Sequence, residues 1–264
     1  MTHSPAEVAA MLVNLAVSKH RQRPLALFLK AFNAGVFVSF GGLMSLIVAG
    51  GSPTLASENP GLVKLLSGFV FPIGLVMIIL QQQELLTSNM MVFPMALAKR
   101  AVPWWGLPRN WFIVFFGNLA GSLFVSLVLV RYSGVVSSEP YVSYIKAAVI
   151  ARCINPSWAQ VFLRGWGVIG SFASRSGQQG MTAKDVTSKV VAVWFPIWAF
   201  VACSFEHVVA NMFLMPLGMS LGGGDLTVGQ FIAKPIAYGN FVGKYDGSSC
   251  RRRTGGQALA RRRA

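Results

Sequence analysis

The stretch ELLTSNMMVFP, Glu84–Pro94, returns as EHVVANMFLMP, Glu206–Pro216, with glutamate, asparagine, methionine and proline each 122 positions after its first copy. GNLAG (Gly117–Gly121) and GNFVG (Gly239–Gly243) keep the same interval. Several residue types recurring in register make an internal duplication, the feature that most restricts the fold. Upstream, FLKAF (Phe28–Phe32) resembles FLRGW (Phe162–Trp166) at an interval of 134, the first half carrying a longer loop around Gly51–Gly61. Each half reads as three helices. An odd number turns the second half upside down relative to the first, which is the inverted-repeat plan of transporters and channels.

The helices are membrane spans. The chain is 54% hydrophobic and only 12% charged over 264 residues, too apolar for a soluble domain. A hydrocarbon layer about 30 Å thick takes roughly 20 apolar residues per helix. Spans are expected near Leu25–Ala49, Leu62–Leu80 and Trp111–Val130, from Val190 through Cys203 past His207, and from Phe231. The continuous apolar runs lack the alternation of a barrel wall. The expected organisation is a cytoplasmic segment 1–24, a first repeat 25–134, a connecting amphipathic segment 135–159, a second repeat 160–244 and a basic tail 245–264.

A formal net charge of +15 invites a nucleic-acid partner, but its placement argues against one. Lys19–Arg23, Lys99–Arg109, Thr182–Lys189 and the tail fall on one side, while the loops holding Ser52–Gly61 and Gly222–Gly229 carry neither Lys nor Arg. This is the positive-inside pattern, and it places the N-terminus in the cytoplasm. Arg131, Lys146 and Arg152 fall outside in that scheme. The first twenty residues are polar and mildly amphipathic, so no cleavable signal peptide is expected. Cys153, Cys203 and Cys250 are far apart and set no disulfide frame or zinc spacing. No cofactor or metal motif is read.

Within the repeat, Glu84 and Asn89, and Glu206 and Asn211, sit in apolar surroundings. Such groups cost several kcal/mol in lipid unless they pair internally or line an aqueous cavity. Pro94 and Pro216 are expected to mark helix breaks, with the acid and amide of each copy capping them. Two broken helices meeting at mid-membrane would form a pore whose helix amino ends favour an anion. His207, in the same stretch, is a candidate proton donor. Glu206-His207 is no metalloprotease motif, because position 211 is Asn where a second His would be needed.

At FPIGLVMIIL…ELLTSNMMVFP, FFGNLAGSL, SWAQVFLRG, KDVTSKVVAVWFPIWAFVACSFEHVVANMFLMPLG and GQFIAK…GNFVG the chain resembles the formate/nitrite transporter family. The resemblance covers most of Leu25–Gly243. It implies an aquaporin-like subunit, a homopentamer with one pore per subunit, and passage of small monovalent weak-acid anions such as formate and nitrite together with a proton. It further implies that His207 is the central pore histidine, that Thr87 comes from the first broken helix, and that Phe71, Leu75, Leu86 and Phe200 form apolar constrictions. The expected setting is multi-pass in the plasma membrane, in contact with lipid. No enzymatic activity and no cofactor are implied.

Two regions depart from the repeat. FLKAF is followed by an apolar span, whereas FLRGW is followed by GVIGSFASRSGQQGMTAKD, so the fourth span is expected to be disrupted near 168–180. One codon choice for Gly167–Ser174, read two bases later, gives Cys-Asn-Trp-Leu-Val-Cys-Leu, close to the family's usual CNWLVCLA. GNFVG is followed by KYDGSSCRRRTGGQALARRRA, which truncates the expected sixth span. The alternatives to an anion pore are a non-transporting product of a frameshifted or mis-spliced gene, and a neutral-solute pore of aquaporin type.

Overall fold

The computed structural model describes residues 4–157, 159–160, 185–205, 207–223 and 228–231, and all regular structure among them is helical. The expected disruption at 168–180, the tail 245–264, Glu206 and the second GN motif at 239–243 lie outside the described residues.

Helix α1, Pro5–His20, opens with a capping box in which Ser4 and Glu7 satisfy each other's backbone amides. Helix α2, Pro24–Gly50, follows, then the short α3, Pro53–Glu58. Next come α4, Pro60–Val70, and α5, Pro72–Leu80, joined at Phe71 into one rod. Helix α6 is Leu86–Ala98, and α7, Gly106–Leu123, continues as π-helix to Tyr132. Helix α8, Tyr141–Val149, is also extended by a π-helical turn, Ile150–Ile154. Among the later described residues, α9 is Val186–Ala202, N-capped by Asp185, and α10 is Val208–Ser220. Pro24–Gly50, Pro60–Leu80 and Gly106–Tyr132 are long and apolar enough to cross a membrane, whereas α6, α9 and α10 are apolar but shorter.

The most extensive packing is α2 against α7. Small residues allow it: a Cβ on Gly121 would lie 2.0 Å from the Phe32 carbonyl oxygen, and one on Gly35 2.2 Å from that of Asn118. Apolar side chains gain little by associating inside lipid, so close backbone approach supplies the contact. A core runs from α2 through α5, α7 and α8 to α9 and α10. A second cluster seats α1 on α6 through Val8, Leu12 and Ala16 against Val92, Phe93 and Ala96.

The second apolar stretch does not continue past His207 as one helix. Helix α9 stops at Ala202, and α5 stops at Leu80, by the same device: Ser204 (φ 60°) and Gln82 (φ 52°) take the left-handed conformation. The next amide then returns to the helix, Phe205 N to the Phe200 carbonyl at 3.3 Å and Gln83 N to that of Ile78 at 2.9 Å. This is the Schellman ending, with non-glycine residues at the position glycine usually fills. Leu85 and His207 are then extended, and new helices start at Leu86 and Val208. Helix ends, left-handed residues and helix starts are each 122 positions apart in the two halves.

The prolines expected to mark the breaks do not. Helix α6 runs through Pro94 and α10 through Pro216, while the interruptions are seen at 81–85 and at 203–205 and 207. Each proline falls in the ninth position of its helix and removes one amide from a hydrogen-bond ladder that continues on either side. Pro94 is exposed, so its neighbourhood has room for the ring, and Pro216 is buried.

Candidate functional site

His207 occupies the N-cap of α10, where its Nδ1 accepts the Ala210 amide at 3.3 Å. With Nδ1 used as acceptor, the neutral ring carries its proton on Nε2. That nitrogen lies 3.4 Å from Thr87 Oγ1, in the first turn of α6. The amino ends of α6 and α10 therefore meet through these two side chains. The His207 ring is edge-on to Phe200, with centroids 6.2 Å apart, and Phe200 stacks on Phe205 at 6.0 Å. His207 and Phe200 are buried, as are Phe71, Leu75 and Leu86, which share one apolar cluster with Val208 and Val209.

The first interruption is held by a buried polar network. Lys19 Nζ donates to Glu84 Oε2 at 2.7 Å and to Asn89 Oδ1 at 2.8 Å. Gln22 Nε2 donates to Glu84 Oε1 at 2.9 Å, and Asn89 Nδ2 to Glu84 Oε2 and Asn110 Oδ1, both at 2.8 Å. Burial pushes the Lys19 ammonium below its ordinary value, and the Glu84 carboxylate opposes that shift. Lys19 comes from α1, the segment the sequence assigns only a polar, amphipathic character. Its 65-residue separation from Glu84 leaves no local pattern to read.

The capping expected of Glu84 and Asn89 falls to another residue. The Leu86 amide, first of α6, donates to Asn118 Oδ1 at 2.9 Å, while Asn118 Nδ2 donates to the carbonyls of Ala31 at 2.8 Å and Glu84 at 2.9 Å. The Glu84 carboxylate is already taken by Lys19, Gln22 and Asn89. Asn118 belongs to the duplicated GNLAG motif, so the repeat contained its signal. Asn211 is buried in α10, and its expected partner Glu206 lies outside the described residues.

The sequence profile described as formate/nitrite transporter matches residues 6–245. The chain belongs to the formate/nitrite transporter family. It is 34% identical over 260 residues to a probable formate transporter of Methanothermobacter thermautotrophicus, with 91% of this chain and 92% of that one covered. It is 30% identical over 258 residues to the formate channel BtFdhC of Bacillus thuringiensis, covering 91% of each. A solved pentameric formate channel with formate bound superposes with a TM-score of 0.70 at 24% identity, over 91% of this chain and 98% of that one, a likeness of fold. With its apolar helices, this formate/nitrite transporter family member is an integral membrane protein of a transport family and not an enzyme.

Proposed function

We propose that the chain forms a homopentameric pore or carrier for small monovalent weak-acid anions, formate foremost, with nitrite and similar anions as further substrates. The observation that carries the reading is the Thr87–His207 pair at 3.4 Å, joining the starts of two helices inside an apolar surround. The two interruptions, matched at 122 positions, support reading α5–α6 and α9–α10 as the broken helices of an inverted, aquaporin-like repeat. The probable formate transporter at 34% identity and the formate channel at 30% support the substrate, and the pentameric neighbour supports the assembly.

In this mechanism the anion approaches through a vestibule and meets Phe71, Leu75, Leu86 and Phe200. A bare anion pays heavily to enter an apolar slit, whereas the neutral acid does not. Two helix amino ends hold positive potential where the anion arrives. The His207 Nε2–H and the Thr87 hydroxyl then share hydrogen bonds with its oxygens while it takes up one proton, from vestibule water or by way of His207, and anion and proton cross together as the neutral acid. The distribution of basic loops supports a cytoplasmic N-terminus, and the plasma membrane is the proposed setting. Neither a neutral-solute pore nor a non-transporting product is favoured by the relatives.

The test is acid-stimulated uptake of labelled formate by the wild type and by His207→Asn and His207→Phe. Loss of the acid stimulation in both variants is the expected result, and undiminished uptake would sink the mechanism.

A further inference from the structure

We infer that Asn118 is a positioning residue that sets the size selectivity of the pore by fixing the start of α6, an inference that rests on the function proposed above. Asn118 is fully buried, and its side chain hydrogen-bonds to backbone groups. Its amide group makes three hydrogen bonds of 2.8–2.9 Å to two backbone segments: the Leu86 amide and the Glu84 carbonyl at the interruption, and the Ala31 carbonyl in α2. The Glu84 and Leu86 groups flank Leu85, the extended N-cap of α6, which offers no capping side chain.

The geometry of this clamp bears directly on the constriction. Leu86, whose amide it holds, contributes a proposed apolar constriction, and Thr87 is the next residue. The frame behind the clamp is rigid, because the Asn118 carbonyl is packed so closely on α2 that even a Cβ on Gly35 would lie 2.2 Å away. A planar carboxamide supplies one acceptor and two donors in a fixed plane, matching one amide and two carbonyls. No shorter side chain reproduces that set. Without it, the first amide of α6 loses its partner, and the 81–85 segment can shift toward or away from the pore axis.

A residue that only held the fold would lower the flux of every anion alike when replaced. A residue that holds the constriction changes the ratio between small and large anions. The experiment reconstitutes wild type, Asn118→Ala, Asn118→Asp and Ser122→Ala into liposomes and measures labelled formate and lactate uptake per folded pentamer. Asn118→Asp keeps the shape and the acceptor but removes both donors, so it reports on the clamp if Asn118→Ala fails to assemble. Ser122 lies on the same helix and bonds the Gly35 carbonyl at 3.4 Å, away from the interruption.

The expected result is a formate-to-lactate ratio that falls by about tenfold or more in the Asn118 variants, the scale on which a pocket distinguishes small differences in size. Ser122→Ala should retain the wild-type ratio. Lower flux with an unchanged ratio in the Asn118 variants overturns the inference and leaves the proposed function standing. A correctly assembled wild type that passes neither anion overturns the proposed function and this inference with it.

Discussion

Thr87 and His207 lie 120 positions apart in the chain, and their contact is the smallest unit on which the proposed chemistry depends. A neutral hydrogen bond contributes a net of about 1 kcal/mol, equivalent to roughly fivefold in rate when it acts in the transition state. Thr87→Val keeps the volume and removes the hydroxyl. Formate flux should fall about fivefold while the melting temperature of the assembly stays within a degree or two, and an unaltered flux would remove Thr87 from the pathway. At this scale the sequence was informative where a motif named the residue. His207 and Thr87 could be singled out from EHVVANM and ELLTSNM through the family likeness, whereas Asn118 stood in a flagged repeat with no role attached. Its function depends on which backbone groups the folded chain leaves without partners, and no sequence pattern gives their positions.

The elements that shape the site end by backbone conformation. Gln82 and Ser204 hold left-handed φ values of 52° and 60° at the ends of α5 and α9. A side chain in that region costs roughly 1 kcal/mol relative to glycine. Gln82→Gly should therefore raise thermal stability by up to about 1 kcal/mol with transport retained, and a lower melting point would show that the Gln82 side chain matters to the turn. Three consecutive glutamines at this position were the local sign of the interruption. The prolines drew the expectation instead, although a helix of 13 residues accommodates one at its ninth position.

Helix α1 adds an element that hydropathy could not connect to the pore region. Its Lys19 neutralises Glu84 in a buried pair, so removing one partner alone leaves an uncompensated charge worth about 3–5 kcal/mol of destabilisation. Lys19→Met should lower the melting point accordingly, and Lys19→Met combined with Glu84→Gln should recover part of the loss. Strict additivity of the two changes, measured as a double-mutant cycle, would mean that the pair is not coupled.

For the whole molecule, apolar length made the three long spans legible, because a span needs little beyond some twenty greasy residues. Orientation across the membrane is a separate property, set by where the positive charges lie. His20, at the end of α1, packs on Trp105, just before α7, with ring centroids 5.0 Å apart. Arg109 lies over the same Trp105 ring at 6.0 Å. The two basic loops, Lys19–Arg23 and Lys99–Arg109, therefore share one end of the helix array, as a single charged face requires. If that end is cytoplasmic, a cysteine at exposed Arg100 will react with a membrane-impermeant maleimide in inverted vesicles but not in intact cells. A cysteine at exposed Ser57, in the loop without Lys or Arg, will do the reverse. Native Cys203 is exposed, so the labelling belongs in a background with the native cysteines replaced. Reaction of the Arg100 site in intact cells would invert the topology. It would also reverse which side of the membrane the buried Lys19–Glu84 network faces, while leaving the Thr87–His207 pair between the two helix starts unaffected.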